Sequence, residues 1–355
     1  MKSRLQRVLK AAKQPARLLK FPDGTQLLVL IHGGRVLGLF PSRDENNFLW
    51  THAALASAAT AKAFYKSDEW HNSGGERTWL SPEIDVFFPH YPKLDRYWQP
   101  RELDPGHYQV EKTARPFTVW TPVKLTFSRT QAVGKFSIAK TFSPAPDPLR
   151  QERLPNVNRL RYAGYTQAVT LRTVKYNHKH PAALSLWSLL QLPHGGDMII
   201  PSYGKANVEV FMGHVPRQSL TVREGLTRWK MKAKGEHKIS VRAPGCTGRV
   251  GYLHRSSARQ WDLVVRNFYV NPSGHYPEVP WSRPAEVGHC VQACNVNSGL
   301  GQFSELEYHA PAISLGTPDR QHGQDSCQDV SQVWAYRGAP SSIRQAAKSL
   351  LGSTL

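Results

Sequence analysis

Val123-Lys124-Leu125-Thr126-Phe127-Ser128 alternates apolar and polar residues, and Lys135-Phe136-Ser137-Ile138 repeats the alternation a few residues later. A period of two marks a strand with one face in a core and the other in water, and two such runs in succession predict an antiparallel pair. Outward from this pair the same grammar continues. Residues 168–176 resume the strand pattern, and residues 183–192 place Leu184, Leu186, Ser188, Leu190 and Leu192 on one face with Trp187, Leu189 and Gln191 on the other, so both faces are expected to be covered. Further strands are expected at 208–211, 238–243, 250–253 and 261–270, separated by turns containing Gly and Pro. Toward the N-terminus, 27–31 and 35–40 flank Gly33-Gly34 and read as a hairpin. Strand after strand with few helices predicts an all-β fold, a large antiparallel β-sandwich or barrel.

Helices are expected mainly at the ends. Leu5, Val8, Leu9 and Ala12 fall on one helical face among basic residues until Pro15 stops the helix. Ser341 as N-cap, an apolar stripe of Ile343, Ala347, Leu350 and Leu351, and Gly352 as stop signal predict a short helix at the other end. Between them only the Ala-rich run 51–65 looks helical, and a loop carrying Pro89, Tyr91, Pro92, Tyr97, Trp98 and Pro100 is long enough to expect a functional or lid role. The organisation expected is a basic helix or arm over residues 1–20, one β-domain over 21–340 and a terminal helix over 341–355.

With 355 residues and 40% hydrophobic content the chain can bury a large core, and no apolar run approaches the length of a bilayer span. A soluble, cytoplasmic protein is expected. The four cysteines are too sparse for a disulfide framework, and although His289, Cys290 and Cys294 could give zinc three ligands, no second half accompanies them, so free thiols and no metal are expected. A formal charge of +20 admits nucleic acid or another polyanion as partner through the basic leader, but no nucleic-acid-binding signature accompanies it.

Chemistry concentrates in two stretches. His71-Asn72-Ser73-Gly74-Gly75-Glu76-Arg77-Thr78-Trp79-Leu80-Ser81-Pro82-Glu83 joins a glycine pair to His71, Glu76, Arg77 and Glu83 with Trp79 beside them; charged groups can bind hydroxyls while an indole offers an apolar face. A packed turn with a structural Arg–Glu pair fits the same residues. In Phe303-Ser304-Glu305-Leu306-Glu307-Tyr308-His309-Ala310-Pro311, strand geometry puts Glu305, Glu307 and His309 on one face, a carboxylate and imidazole set suited to acid–base work or a solvent-facing polar face. His32, His178, His180 and His194 sit near turns and strand ends. Phosphate loops, serine-hydrolase elbows and His-Glu-x-x-His helices are absent from the sequence.

The order of these features resembles the galactose mutarotase-like superfamily, which includes the aldose 1-epimerases and several uncharacterised bacterial families: a hairpin turning at Gly33-Gly34, Asn47 to Trp50, the motif from Gly74 to Glu83, then Phe303 to Pro311. The resemblance spans about residues 26–337 through short motifs. It implies a β-supersandwich with a sugar site on one sheet, where a glutamate takes the anomeric proton and a histidine protonates the ring oxygen, with no cofactor. Glu307 matches the family glutamate, and His71 resembles its early sugar-binding histidine. Where the family has a histidine near Tyr-Phe-Asn, this chain reads Leu186-Trp187-Ser188-Leu189-Leu190-Gln191, so the acid would fall to His178, His194 or His309. The expected site is therefore Glu307, His309 and His194 as catalytic groups, with His71, Glu76, Arg77, Trp79, Glu83 and Glu305 binding a sugar or sugar derivative. A carbohydrate-binding module without turnover and a polyanion-binding protein are the alternatives.

Overall fold

The computed structural model describes residues 4–42, 46–113, 115–152, 159–176, 181–316 and 326–352. Its strands, numbered along the chain, form two large antiparallel sheets. One runs in the order β1 (Ala16–Lys20), β2 (Gln26–Leu30), β3 (Arg35–Phe40), β4 (Glu76–Ser81), β9 (Ala182–Pro193), β17 (Gly301–His309), β16 (His289–Ser298), β13 (Gly235–Arg242) and β11 (Val208–Met212), with β18 (Ile313–Leu315) also paired to β9. The other runs β12 (Leu220–Lys230), β10 (Asp197–Lys205), β14 (Arg249–His254), β15 (Trp261–Phe268), β19 (Ser326–Gly338), β8 (Arg161–Tyr176), β7 (Val133–Pro144), β6 (Thr118–Thr126) and β5 (Gln109–Val110). The fold is all-β, as the alternation predicts.

Alternation decides which residues fill the space between the sheets. Leu190, Leu192, Leu306, Tyr308, Val291, Ala293, Ile239 and Val241 of the first sheet pack against Tyr165, Val264, Phe268, Val333 and Ala335 of the second. Their sequence neighbours on β4, β9, β17, β16 and β13 necessarily point to the opposite side, and these carry the chemistry described below. The outer surfaces are covered in part by helices. α1 (Arg4–Ala11) brings Val8 and Leu9, followed by Ala12, onto Leu28, Leu30 and Leu37, together with Leu55 and α2 (Ala58–Lys66). α5 (Pro340–Leu351) packs Ile343, Ala346, Ala347 and Leu350 on Ile199, Leu263, Val265 and Tyr336 of the second sheet.

Two local expectations are corrected, and one short element is added to them. The residues after Pro15 leave the basic helix and add β1 to the edge of the first sheet, because Ala16-Arg17-Leu18-Leu19-Lys20 pairs in register with Leu30 to Gln26. The N-cap of the last helix is Ala339, since Pro340 occupies the first helical position, where its missing N–H costs nothing; Gly352 is the left-handed stop, at φ 66°. The Pro-rich segment after Ser143 holds a short helix, α4 (Pro148–Gln151), capped by Asp147, whose carboxylate accepts from Leu149 N.

Candidate functional site

The glycine pair of the first stretch is required by close approach. Gly74 and Gly75 have φ of 101° and 71°, and a Cβ on Gly75 would stand 2.0 Å from the Val36 carbonyl oxygen. With the backbone this close to β3, the chain enters β4 in register with β9, opposing Arg77 to Leu189 and Trp79 to Trp187. Strand β17 lies on the other side of β9, so that Glu307 also opposes Leu189 and Glu305 opposes Gln191. The register continues outward: Cys294 faces Glu305, and Lys238 faces Cys294. Four rungs of backbone pairing thus bring side chains separated by more than two hundred residues onto one patch.

That patch floors a cavity of about 470 Å³, within the range of roughly 300–1,000 Å³ usual for small-molecule sites. Its floor holds Arg77, Trp79, Trp187, Glu305, Glu307 and Lys238, and its walls hold Phe88, Tyr97 and Trp281 from loops. Arg77 Nη1 lies 2.9 Å from Glu305 Oε1, and its guanidinium centre lies 4.2 Å from the Trp79 ring centroid. Gln191 Nε2 donates to the same carboxylate oxygen at 3.0 Å. Lys238 Nζ stands 3.3 Å from Glu307 Oε2 and 3.5 Å from Glu83 Oε2, and 4.4 Å above the Trp187 ring. Trp187 Nε1 donates to Glu307 Oε2 at 2.9 Å, whereas Glu307 Oε1 has no hydrogen-bond partner among the described residues. Glu83 accepts from the Tyr97 hydroxyl and from Trp281 Nε1, each at 2.8 Å, and its own backbone N–H donates to Glu278.

Burial sets the protonation. Removal from water pushes the Glu307 carboxyl up to about 7; Lys238 opposes that shift, while Glu305 and Glu83 add to it. Burial alone would strip the proton from Lys238, but Glu307 and Glu83 outweigh it and hold the ammonium charged. Glu278 is raised well above the usual carboxylate range, by burial first and by Glu83 second. Glu307 is therefore a carboxyl poised near neutrality with one oxygen held and one free, the condition for a general base.

Among the described residues one group of potential metal donors exists, Cys294, Glu305 and Glu307, with ligand atoms within 4.8 Å of one another. It does not suit a divalent cation. Both carboxylates already carry a cationic partner, Arg77 and Lys238, and burial lifts the Cys294 thiol well above its ordinary value, so it stays protonated. The His289, Cys290 and Cys294 pattern does not converge: Cys290 lies in the inter-sheet core, Cys294 lines the cavity, and His289 Nδ1 bonds Ser240 Oγ.

Of the residues expected from sequence, Arg77, Trp79, Glu83, Glu305 and Glu307 come together in the cavity. Four others are set apart. Glu76 has the opposite parity from Arg77 and points between the sheets, where it is fully buried and bound by Arg266, Tyr165, Gln167 and Ser188. His309 shares the face of Glu305 and Glu307 but lies outside the cavity lining, stacked on Trp187 at 5.4 Å and bonded to Ser81 and Gln292 at 3.0 Å each; burial pushes its imidazole well below the usual range. His71 faces His32 at 3.1 Å beside Tyr65, and His194 bonds Asn295 Oδ1 at the far end of β9. His178 and His180 fall outside the described residues. Tyr97 reaches the cavity from the loop expected to have a functional or lid role, whereas Lys238, Trp187, Trp281 and Glu278 were not legible as site residues: the first looks like the polar face of a strand, and the loop residues reach the site only through tertiary folding.

No protein-family model matches the chain, and no curated protein matches it significantly. Among solved structures, similar ones include a GalM/aldose epimerase homologue from C. elegans (11% identity, 92% of this chain and 99% of that one, TM-score 0.40). HI1317 is at 10% identity over 91% and 92%, with a TM-score of 0.40. The galactose 1-epimerase from Lactobacillus acidophilus NCFM is at 8% over 92% and 99%, with 0.37.

Proposed function

We propose that the cavity over β4, β9 and β17 binds a sugar or sugar derivative, and that Glu307 acts there as the base of an aldose 1-epimerase-type reaction. The observation that carries this is Glu307 itself. Its Oε2 is fixed by Trp187 and Lys238 while Oε1 is free inside an aromatic-walled cavity, and burial tunes the carboxyl to about 7. In this reading Oε1 takes the proton from the anomeric hydroxyl, the ring oxygen gains one, the pyranose opens, and closure on the other face gives the second anomer. Indole and phenol faces cover the apolar face of a pyranose, and Arg77, Glu305 and Glu83 meet its hydroxyls.

The acid is a separate question for experiment. The motif resemblance gives that role to a histidine, and His309 is the nearest one to the floor, through Trp187. Within the cavity the proton-bearing groups include the Tyr97 hydroxyl, held to Glu83, the Lys238 ammonium and the Cys294 thiol. Anomer interconversion of freshly dissolved aldoses, followed by optical rotation or NMR, tests the reading. Acceleration by the protein, lost in Glu307→Gln, is expected, and His309→Gln and Tyr97→Phe then separate the two sources of the acid. No acceleration over a broad aldose panel removes the enzymatic reading. Calorimetric sugar binding without turnover would leave the non-catalytic binding module, a reading favoured by the absence of any described histidine from the cavity lining.

A further inference from the structure

The protein is strongly basic, yet its cavity is acidic. Glu83, Glu236, Glu305 and Glu307 line it against Arg77 and Lys238, four carboxyl groups to two cations, a formal excess of two negative charges within a chain of +20. Such a contrast selects the opposite sign of ligand from the one total charge suggests, because a ligand in a cavity feels the walls it touches far more than a screened distant surface. The two cations the chain itself places here show what the walls favour. Each sits against an indole face and beside a carboxylate: Arg77 over Trp79 with Glu305, and Lys238 over Trp187 with Glu307 and Glu83.

Among the described residues that line the cavity, the one buried acceptor without a hydrogen-bond partner is Glu307 Oε1; the unpartnered donors there, Arg77 Nε and Nη1, already lie beside Glu305. Glu307 is wholly inaccessible to water, and an ionised oxygen left without a partner in such a place is costly. A ligand that brings a cationic donor supplies what the site lacks. Glu236, half-buried on the wall and bonded to Ser298 at 2.6 Å, adds negative charge farther out.

Resting on the carbohydrate reading above, we infer that the substrate is a 2-amino aldose whose ammonium group pairs with Glu307 Oε1. In such a sugar the amine is vicinal to the anomeric hydroxyl, so one carboxylate oxygen meets both groups. The ammonium also keeps Glu307 ionised at neutral pH, opposing the upward push of burial, and so leaves the base competent. Neutral aldoses lack this partner, and N-acetylated sugars replace the cation with an amide.

Calorimetry with D-glucosamine and D-galactosamine, their parent hexoses, their N-acetyl derivatives, the corresponding uronic acids and tetramethylammonium chloride tests this. Expected is binding of one amino sugar about ten-fold or more tighter than its parent and its N-acetyl form. That preference should shrink to near unity in Glu307→Gln and fall partially in Glu236→Gln, a half-buried change that does not touch the core. Parent, N-acetyl or uronic sugars binding as tightly as the amino sugar would overturn the inference while keeping the carbohydrate reading. Tetramethylammonium binding with no sugar binding would overturn the sugar and keep the cation preference. No binding by any probe overturns both.

Discussion

Adjacent residues on β4 have opposite fates, and parity is the whole cause. Glu76 and Arg77 are both buried, yet one carboxylate neutralises Arg266 between the sheets and the other position feeds the cavity. Removing one partner from a fully buried ion pair leaves the other charge uncompensated, so Glu76→Gln is expected to cost about 3–5 kcal/mol in urea unfolding. Because Glu76 touches nothing in the cavity, the folded fraction of that variant should bind sugar with unchanged affinity. Glu305→Gln reverses the pattern in part: it frees Arg77 inside the cavity, and ligand affinity should fall along with stability. Both variants measured by denaturation and calorimetry would distinguish a framework carboxylate from a site carboxylate, and loss of binding by folded Glu76→Gln would break the parity argument.

At the scale of elements, the sequence reveals a strand where one face is core and the other faces water, and hides it where the strand is a short edge or where polar residues are buried on it. β6 and β7 announce themselves through Val123, Leu125, Phe136 and Ile138, all buried, against exposed Lys124 and Lys135. β1 does not, because an edge strand of five residues with a half-exposed pattern looks like the tail of a basic helix. β16 does not either. Its Gln292 is wholly buried because the site side of this sheet is covered, and Asn295, of the opposite parity, is buried on the inter-sheet side; a buried polar residue cannot be told from one facing water by period alone. The two carboxylates of β17 were legible for the same geometric reason, as period two puts Glu305 and Glu307 together without reference to what lies above them. The amphipathic α1 was also legible, and its packing gives it a structural role: Leu9 is completely buried on the outside of the first sheet. Leu9→Ala is expected to lower stability by about 2–5 kcal/mol. A thermal or urea shift near zero would mean that α1 is an arm free of the sheet.

For the molecule as a whole, acid stability follows from two opposed sets of buried groups. His32 and His289 are pushed down to about 4, and His309 well below its ordinary value, in each case chiefly by burial. Their stabilising contribution is present above pH about 6.5 and is lost as the pH falls through their folded values. Glu307, Glu278 and Asp329 are raised, again chiefly by burial, so their contribution is fully present below the ordinary carboxylate range and is lost as the pH rises through their folded values. On acidification from about 7 to 4.5 the carboxyls therefore gain while the histidines lose, each proton of imbalance being worth about 1.4 kcal/mol per pH unit. Below that range the carboxyls are protonated in both states and have nothing left to add, while His32 and His289 finish charging near pH 4 and only His309 resists further. Stability should thus decline gently from pH 7 to 4.5, most steeply from there to about 4, and then with the slope of His309 alone, as read from urea midpoints over the same span. Two variants should bend the curve in opposite directions. Glu307→Gln removes a group that offsets the histidines and should steepen the upper limb. His309→Gln removes a histidine that resists charging and should soften the lower one. A curve that falls most steeply between pH 7 and 5, or variants that leave both limbs unchanged, would mean that these buried groups do not govern the response to acid.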